Sequence, residues 1–254
     1  MTTSVPGNVW PLTSVAARLT ARSTLVDVAV NETVVLRRCA QYRKAFRCAA
    51  VSYPADVLRL DAPADWIRRH GVAIDVADAD GIATAVSAGV VPQRIIVHGS
   101  DQRASEISRA IEAGAGRYVV NSRQQVKALA GSVPHRRRIL VDVTDEDGDE
   151  LVAAVIAGVG LDMIGVHRRL RSGDGGRAAV REMIAEIRGF ARRYNIIPAR
   201  LSLGEVDVAD WDCAPDDLTA IAVAIDDAVE DGCIASRFPS PAVNIAPSRA
   251  ALSH

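Results

Sequence analysis

The amino-acid sequence predicts a single α/β domain of the TIM type, a (β/α)8 barrel, on three observations. The chain has 254 residues, a length that suits one barrel of this kind. Short β-branched runs alternate with amphipathic stretches, which indicates parallel strands joined by helices. Eight such runs occur, and this number favours a closed barrel over an open doubly wound sheet, which remains the structural alternative.

The chain is expected to divide into a short lead-in and one large domain. Residues 1–24 contain Pro6 and Pro11 and are interpreted as an irregular N-terminal lead-in, so the barrel domain is predicted over residues 25–254. Hydrophobic residues make up 49% and charged residues 24% of the chain, a balance typical of a globular domain. No linker-like segment separates a second domain.

The first predicted helix covers residues 31–46 and precedes the barrel strands. Its buried face is predicted from apolar residues at spacings of three and four, namely Val35, Cys39, Tyr42 and Phe46. The chain stops soon after the last predicted strand, which therefore has no helix of its own. We expect the helix at 31–46 to fill that place, between the first and the eighth strand.

The eight strands are predicted from short runs that end in polar residues. Gly89 and Gly114 lie where helices should end before the next strand begins. The clearest of the intervening helices has its apolar stripe at Val180, Met183, Ile184, Ile187 and Phe190. The predicted strands span residues 47–52, 72–77, 94–98, 117–121, 138–143, 163–167, 200–203 and 242–245.

Charge and cysteine usage exclude several classes of function. The formal net charge is -1, so bulk electrostatics predicts neither nucleic-acid binding nor attraction to an anionic membrane. No uncharged apolar stretch of about 20 residues is present, so no membrane span is expected. The first residues lack a signal-peptide pattern, and the cysteines lack metal spacing, which favours a cytoplasmic protein with free thiols. These cysteines are Cys39, Cys48, Cys213 and Cys233.

Several short motifs occur in an order that resembles a known family. Residues 88–99 read AGVVPQRIIVHG, residues 113–122 read AGAGRYVVNS, and residues 71–77 read GVAIDVA. This order is similar to the barrel domain of the fold-type III pyridoxal-phosphate decarboxylases, related in fold to alanine racemase, and the pattern of diaminopimelate decarboxylase is closest. The resemblance implies the same barrel. It ends near residue 250, where the family's C-terminal β-domain would begin, and we expect that domain to be absent.

The cofactor lysine of that family has no counterpart at the matching position. The resemblance implies that the lysine would end the first strand, where this sequence reads AAVSYP and has Ser52. A hydroxyl cannot form the imine on which pyridoxal phosphate chemistry depends. The chain's two lysines, Lys44 and Lys127, are expected outside the barrel mouth. No cofactor is therefore expected, and pyridoxal phosphate would require a different register.

Other positions implied by the resemblance have also changed. The histidine that stacks on the cofactor ring falls at Arg169, and the phosphate-binding glycine loop becomes Gly204-Glu205-Val206. The resemblance implies a later motif with a carboxylate at residues 246–249. This sequence reads APSR there and ends the motif with Arg249, so the carboxylate is lost. The residues of the expected degenerate pocket are Ser52, His98, His167, Arg169, Gly204 and Arg249.

The strand ends nevertheless leave a polar mouth, for which several interpretations stay open. Three arginines, Arg169, Arg171 and Arg249, would bind an anion or would pair internally with Asp78 and Glu205. His167 or His98 would serve as a general base, or both are simply inherited. The strand-end polar residues are Ser52, Tyr53, Asp78, Asp80, His98, Ser100, Asp101, Asn121, Asp142, Asp145, His167, Arg169, Arg171, Glu205, Asp207 and Arg249.

A divalent metal is the weaker chemical hypothesis for this mouth. Asp78, Asp142 and Glu205 end three different strands and would converge on an ion such as Mg²⁺ through oxygen ligands. The alternative is that each carboxylate is only solvated. We therefore expect no metal site, and keep these three side chains as its candidates.

These observations lead to two hypotheses about function. The first is a catalytically degenerate relative of the decarboxylases, a pseudoenzyme that binds a small anionic metabolite or a protein partner such as a paralogue, and that forms a homo-oligomer. The second is a divergent amino-acid decarboxylase or racemase-type enzyme, similar to diaminopimelate decarboxylase, or a metal-assisted lyase that uses strand-end carboxylates. The presence or absence of an amine at the mouth separates them.

Overall fold

The computed structural model describes residues 31–99, 104–131, 135–145, 148–171, 175–206, 211 and 217–253. Within them, eight parallel strands pair in sequence order, and the eighth closes on the first. The barrel predicted from the sequence is therefore confirmed, and the open sheet is excluded. The strands are β1 (Ala50–Pro54), β2 (Ala73–Val76), β3 (Ile95–His98), β4 (Arg117–Val120), β5 (Arg137–Asp142), β6 (Leu161–Arg169), β7 (Arg200–Val206) and β8 (Ala242–Pro247).

Helices follow the strands and form the outer layer. In the described part of the chain, short 3-10 turns lie over Ala55–Arg59, Pro92–Arg94 and Ala250–Leu252. Helix α1 covers residues 31–45 and precedes the first strand. The remaining helices are α2 (Asp61–His70), α3 (Ala79–Ser87), α4 (Ala104–Glu112), α5 (Arg123–Leu129), α6 (Gly148–Ala157), α7 (Gly176–Tyr194) and α8 (Leu218–Ser236).

Strands β3, β4 and β5 divide their buried side chains between two cores. In β3, Ile95 and Val97 belong to the large core between the barrel and the helices. Ile96 lies between them in sequence and packs instead with Val119 and Leu140 in a separate small cluster. Because successive side chains of a strand point to opposite faces, this small cluster is the apolar layer inside the barrel. The same alternation aims every second residue of each strand end into the mouth.

Helix α1 occupies the position predicted for it. Its predicted stripe is buried, and Cys39 has no exposed surface. The hydroxyl of Tyr53, in β1, donates a hydrogen bond to the carbonyl oxygen of Cys39 at 2.6 Å. Arg38 donates through Nε to the carbonyl oxygen of Ala251, just after β8, at 3.0 Å. The helix before the first strand therefore joins both sides of the barrel closure.

The differences from the predicted elements lie at strand ends. The first strand begins at Ala50 rather than at residue 47, because residues 47–49 form a bend before it. Strands β6, β7 and β8 run further than predicted, because residues beyond their predicted ends still pair with the neighbouring strand. The expected lead-in at 1–24 and the β-like run at 25–30 lie outside the described residues. In the part of the chain that is described, no helix has both the length and the apolar character needed to cross a membrane.

Removal of the Tyr53 hydroxyl should weaken the attachment of α1. Tyr53→Phe keeps the ring and deletes one buried hydrogen bond, so the free energy of unfolding should fall by about 1 kcal/mol in a urea titration. Tyr194→Phe is the matched control, because the hydroxyl of Tyr194 donates at the surface, to the carbonyl oxygen of Asp149. Equal losses in the two variants would contradict the role given to Tyr53.

Candidate functional site

A cavity of about 220 Å³ opens at the carboxyl ends of the strands, where this fold places its functional loops. Six strands contribute side chains to it, namely β1, β2, β3, β6, β7 and β8. Five of the six predicted pocket residues line it, and the sixth, Ser52, does not. The lining consists of Pro54, Asp75, Val76, Ala77, His98, His167, Arg169, Gly204, Glu205, Ala246, Pro247, Ser248 and Arg249.

Asp75 and His98 form a polar pair on the wall of this mouth. His98 Nε2 lies 2.9 Å from Asp75 Oδ1, and both side chains are largely buried. The other carboxylate oxygen of Asp75, Oδ2, is buried and has no hydrogen-bond partner among the described residues. The ring of His98 meets the ring of His167 edge-on, with centroids 4.9 Å apart and planes at 74°. The mouth therefore holds two imidazoles in contact, one of them bound to a carboxylate.

His167 is the more deeply buried of the two histidines, with 1% of its surface exposed. Its Nδ1 lies 3.1 Å from the hydroxyl oxygen of Ser202. Burial, reinforced by the positive charges that His98 and Arg169 can carry, holds the pKa of His167 well below its usual value. Its Nε2 is buried without a partner in the described part of the chain. His167 is thus a neutral imidazole with one buried ring nitrogen that has no hydrogen-bond partner in the described residues.

Ser52 lies beneath this cavity in a hydrogen-bonded chain of side chains. It is fully buried, and its hydroxyl oxygen accepts a hydrogen bond from Asn244 Nδ2 at 3.0 Å. The same amide nitrogen lies 3.5 Å from the hydroxyl of Ser202, which in turn contacts His167. The position expected to carry a lysine is therefore occupied by a small polar residue that neighbouring strands hold in place.

The three mouth arginines form ion pairs, but with different carboxylates from those expected. Arg169 Nε approaches Asp142 Oδ2 at 4.0 Å, while Arg171 pairs with Asp145 at 2.8 Å. Arg249 Nη1 lies 3.0 Å from Asp56 Oδ2. The alternative of pairing with Asp78 and Glu205 is not what the described residues show: Asp78 caps helix α3, and Glu205 lines the same mouth without an ion pair to these arginines. Arg169 is the arginine that both lines the cavity and makes only a long contact with its carboxylate.

The segment that matches the family's glycine loop keeps a glycine-like backbone. Glu205 has a φ of 55°, in the left-handed region that favours glycine. The register between β7 and β8 shifts there, between Leu203 and Val206, so Glu205 lies in a bulge. A Cβ on Gly204 would come within 3.0 Å of His167 Nε2, so glycine is needed at that position to admit the ring. The carboxylate of Glu205 lines the mouth.

The three carboxylates proposed as metal ligands do not converge. Asp78 caps helix α3 and accepts a hydrogen bond from the backbone of Gly81 at 2.7 Å. Asp142 accepts hydrogen bonds from the backbone nitrogen and the hydroxyl of Thr144. Glu205 is exposed at the mouth. Among the described residues, no group of three His, Cys, Asp or Glu side chains is placed to hold a metal ion.

Both lysines of the chain lie away from the mouth. Lys44 is exposed in the last turn of α1, and Lys127 is exposed on α5, in the outer helical layer. Neither belongs to the residues that line the cavity.

Sequence reasoning misplaced one side chain and missed three. Tyr53, expected at the mouth, faces the helices, where its ring packs edge-on against Trp66. Asp75, Ser202 and Asn244 were treated only as strand residues, although the alternation along each strand would have indicated that they point inward. Ser100, Asp101 and Asp207, also expected at the mouth, lie outside the described residues.

Comparison with known proteins identifies the relatives of this barrel. The sequence profile of the pyridoxal-binding domain of pyridoxal-dependent decarboxylases matches residues 32–174, more than half of the chain. Diaminopimelate decarboxylase of Mycobacterium tuberculosis is 32% identical over 119 residues, which cover 45% of this chain and 27% of that protein. The diaminopimelate decarboxylase of Actinosynnema pretiosum is 25% identical over 270 residues and aligns with 96% of this chain.

Solved structures share the fold at low sequence identity. The crystal structure of diaminopimelate decarboxylase from M. jannaschii superposes with a TM-score of 0.69 at 14% identity, covering 88% of this chain and 60% of that one. The arginine decarboxylase of Paramecium bursaria Chlorella virus superposes with a TM-score of 0.67 at 16% identity, covering 86% and 62%. The chain spans 61% of the length of its Actinosynnema relative.

The buried imidazole should make stability depend on pH. In the unfolded chain, the imidazole of His167 binds a proton below about pH 6.5, whereas the folded protein resists this protonation. The unfolded state then binds more protons, so stability should fall as the pH drops below about 6.5, by up to about 1.4 kcal/mol per unit. In urea titrations at pH 7.5 and 5.5, His167→Gln should lose less stability than the native protein.

The control for this prediction is His135→Gln, which removes an exposed histidine. This variant should keep the full loss of stability on acidification. If His167→Gln lost as much stability as the native protein, His167 would not be the group responsible.

Proposed function

This chain belongs to the family of pyridoxal-dependent decarboxylases through their pyridoxal-binding barrel, and we propose that it is a member without imine chemistry that binds a small metabolite bearing an anionic group at the barrel mouth. One observation carries the proposal. The strand position at which the resemblance in short motifs implies the family's lysine holds Ser52, whose hydroxyl oxygen accepts a hydrogen bond from Asn244 Nδ2.

The side chains at the mouth do not fit covalently bound pyridoxal phosphate. The cofactor is held in such proteins through an imine to a lysine amine, and both lysines of this chain are exposed outside the mouth. Glu205 adds a negative charge in the segment that resembles the phosphate loop. A carboxylate there opposes a phosphate dianion, because like charges at short range repel.

The polar groups of the cavity suit a small ligand with a carboxylate or a similar anion. Arg169 offers a guanidinium whose contact with Asp142 is long, and guanidinium groups bind carboxylates through paired hydrogen bonds. In the same wall, Nε2 of His167 and Oδ2 of Asp75 have no partner among the described residues, and Oδ2 would accept a hydrogen bond from a donor group of the ligand, such as an ammonium group. Buried polar atoms without partners cost stability, so a ligand that reaches them gains affinity.

The second candidate is an amino-acid decarboxylase or racemase-type enzyme. It is favoured by the relatives in sequence, whose names are diaminopimelate decarboxylase. It requires an amine that reaches the cofactor, from Lys44, from Lys127 or from another chain. An experiment on the cofactor therefore separates the two candidates.

Addition of pyridoxal phosphate should leave the protein without a covalent cofactor. We expect no absorbance band at about 410–430 nm from an internal imine. Borohydride reduction followed by mass spectrometry of the peptides should find no adduct at Lys44 or Lys127, and diaminopimelate should release no carbon dioxide. Diaminopimelate decarboxylase of M. tuberculosis, treated in parallel, serves as the positive control. A reduced adduct at either lysine, or release of carbon dioxide, would contradict the proposal.

Binding at the mouth should depend on Arg169. Calorimetric titration with meso-diaminopimelate, which carries two carboxylates, should give a saturable signal in the native protein. Arg169→Gln should weaken this binding about tenfold or more, since a charged hydrogen bond is lost. Arg171→Gln is the matched control, because Arg171 pairs with Asp145 and does not line the cavity. An absent signal, or equal weakening in both variants, would contradict a ligand site that contains Arg169.

A further inference from the structure

The opposite end of the barrel carries a second, larger cavity of about 510 Å³. It lies where α1 leads into β1 and where β2, β3 and β4 begin, so it is at the N-terminal end of the strands. Its apolar wall includes Phe46, Val51 and Val72. Among the residues that the structure describes, its lining contains four arginines and no acidic side chain, the arginines being Arg43, Arg47, Arg94 and Arg117.

The fold positions these arginines from three separate segments. Arg43 and Arg47 come from the end of α1 and the bend after it, and Arg94 and Arg117 precede or begin the third and fourth strands. Gly71 ends α2 with a φ of 59°, and the guanidinium of Arg94 lies in the space that a side chain at Gly71 would fill. The cluster therefore depends on tertiary packing, and no local run of basic residues produces it.

The charges at this end lack carboxylate partners, in contrast to those at the mouth. None of the four arginines forms an ion pair in the described part of the chain, whereas Arg169, Arg171 and Arg249 all do. The Nε of Arg117 is buried with no hydrogen-bond partner in the same residues. Burial is the main cause that lowers the pKa of Arg117; the nearby Arg200 and Arg138 add to this effect, and the charge of Asp75 opposes it.

From this geometry we propose that the N-terminal end of the barrel binds a small, multiply charged oxyanion of the phosphate type, either free or as part of a metabolite. Guanidinium groups bind phosphate oxygens through paired hydrogen bonds, and several arginines together balance more than one negative charge. The cavity volume lies in the range of small-ligand sites. A bound anion would offset the positive charge of Arg117. The apolar wall would contact an organic group attached to the phosphate.

Inorganic pyrophosphate and ADP are the probes for this site, because they share the diphosphate group. At low ionic strength each should raise the thermal midpoint of the native protein in a saturable way, since a ligand that binds only the folded state stabilises it. The double variant Arg43→Gln with Arg94→Gln should weaken pyrophosphate binding about tenfold or more in calorimetry. Tighter binding of ADP would assign the site to a phosphate-bearing metabolite, and tighter binding of pyrophosphate to the free anion.

Two single variants distinguish this site from other positive charges. Arg192→Gln removes an exposed arginine of α7 that belongs to neither cavity, and it should leave the binding of pyrophosphate unchanged. Arg169→Gln removes the arginine of the mouth and should likewise leave it unchanged. The outcome of this test is therefore independent of the function proposed for the mouth.

Three results would overturn the proposal. The first is a native protein that neither probe stabilises beyond sodium chloride of equal ionic strength. The second is a double variant, folded by circular dichroism, that binds pyrophosphate as tightly as the native protein. The third is loss of binding in Arg169→Gln or Arg192→Gln, which would place the anion at the mouth or make it a general effect of net charge.

Discussion

Closure of the eight-stranded ladder is the constraint on which the remaining structure depends. Once β8 pairs with β1, every strand has two neighbours, and its side chains alternate between the helical core and the barrel interior. Parallel pairing then brings all the carboxyl ends to one face and all the amino ends to the other. The two proposed sites follow from this geometry, because residues far apart in sequence meet at each end of the same barrel.

Near the mouth, Ser52 belongs to a chain of hydrogen-bonded side chains. Ser52, Asn244, Ser202 and His167 lie in contact across β1, β8, β7 and β6. Such a buried network is stable only while most of its members are satisfied, so a change at one position alters the others. A lysine at residue 52 would therefore need space and partners that Asn244 now occupies. The loss of imine chemistry proposed for this barrel thus involves Ser52 and also the side chains that surround it inside the barrel.

The two ends of the barrel differ in how their positive charges are balanced. At the mouth, each arginine lies near a carboxylate, and Arg169 retains the longest contact. At the opposite end, Arg117 is partly buried near other arginines, its Nε has no hydrogen-bond partner in the described residues, and the charge of Asp75 compensates it only in part. Uncompensated buried charge is costly in a folded protein, and an anionic ligand lowers that cost. The electrostatic asymmetry distinguishes the proposed anion site from the mouth, although the chain as a whole is nearly neutral.

The sequence by itself determined the barrel, its strand order, the burial of α1 and the family resemblance, because hydrophobic periodicity and short motifs are local properties. It also placed a hydroxyl, Ser52, at the position of the expected amine. Only the tertiary structure decided which polar residues lie near one another. Tyr53 faces the helices, and Asp78 caps a helix away from Asp142. Arg94 and Arg117 line one cavity at the N-terminal end of the strands. Such contacts depend on the register between strands, which is set when the ladder closes and cannot be read from neighbouring residues in the chain.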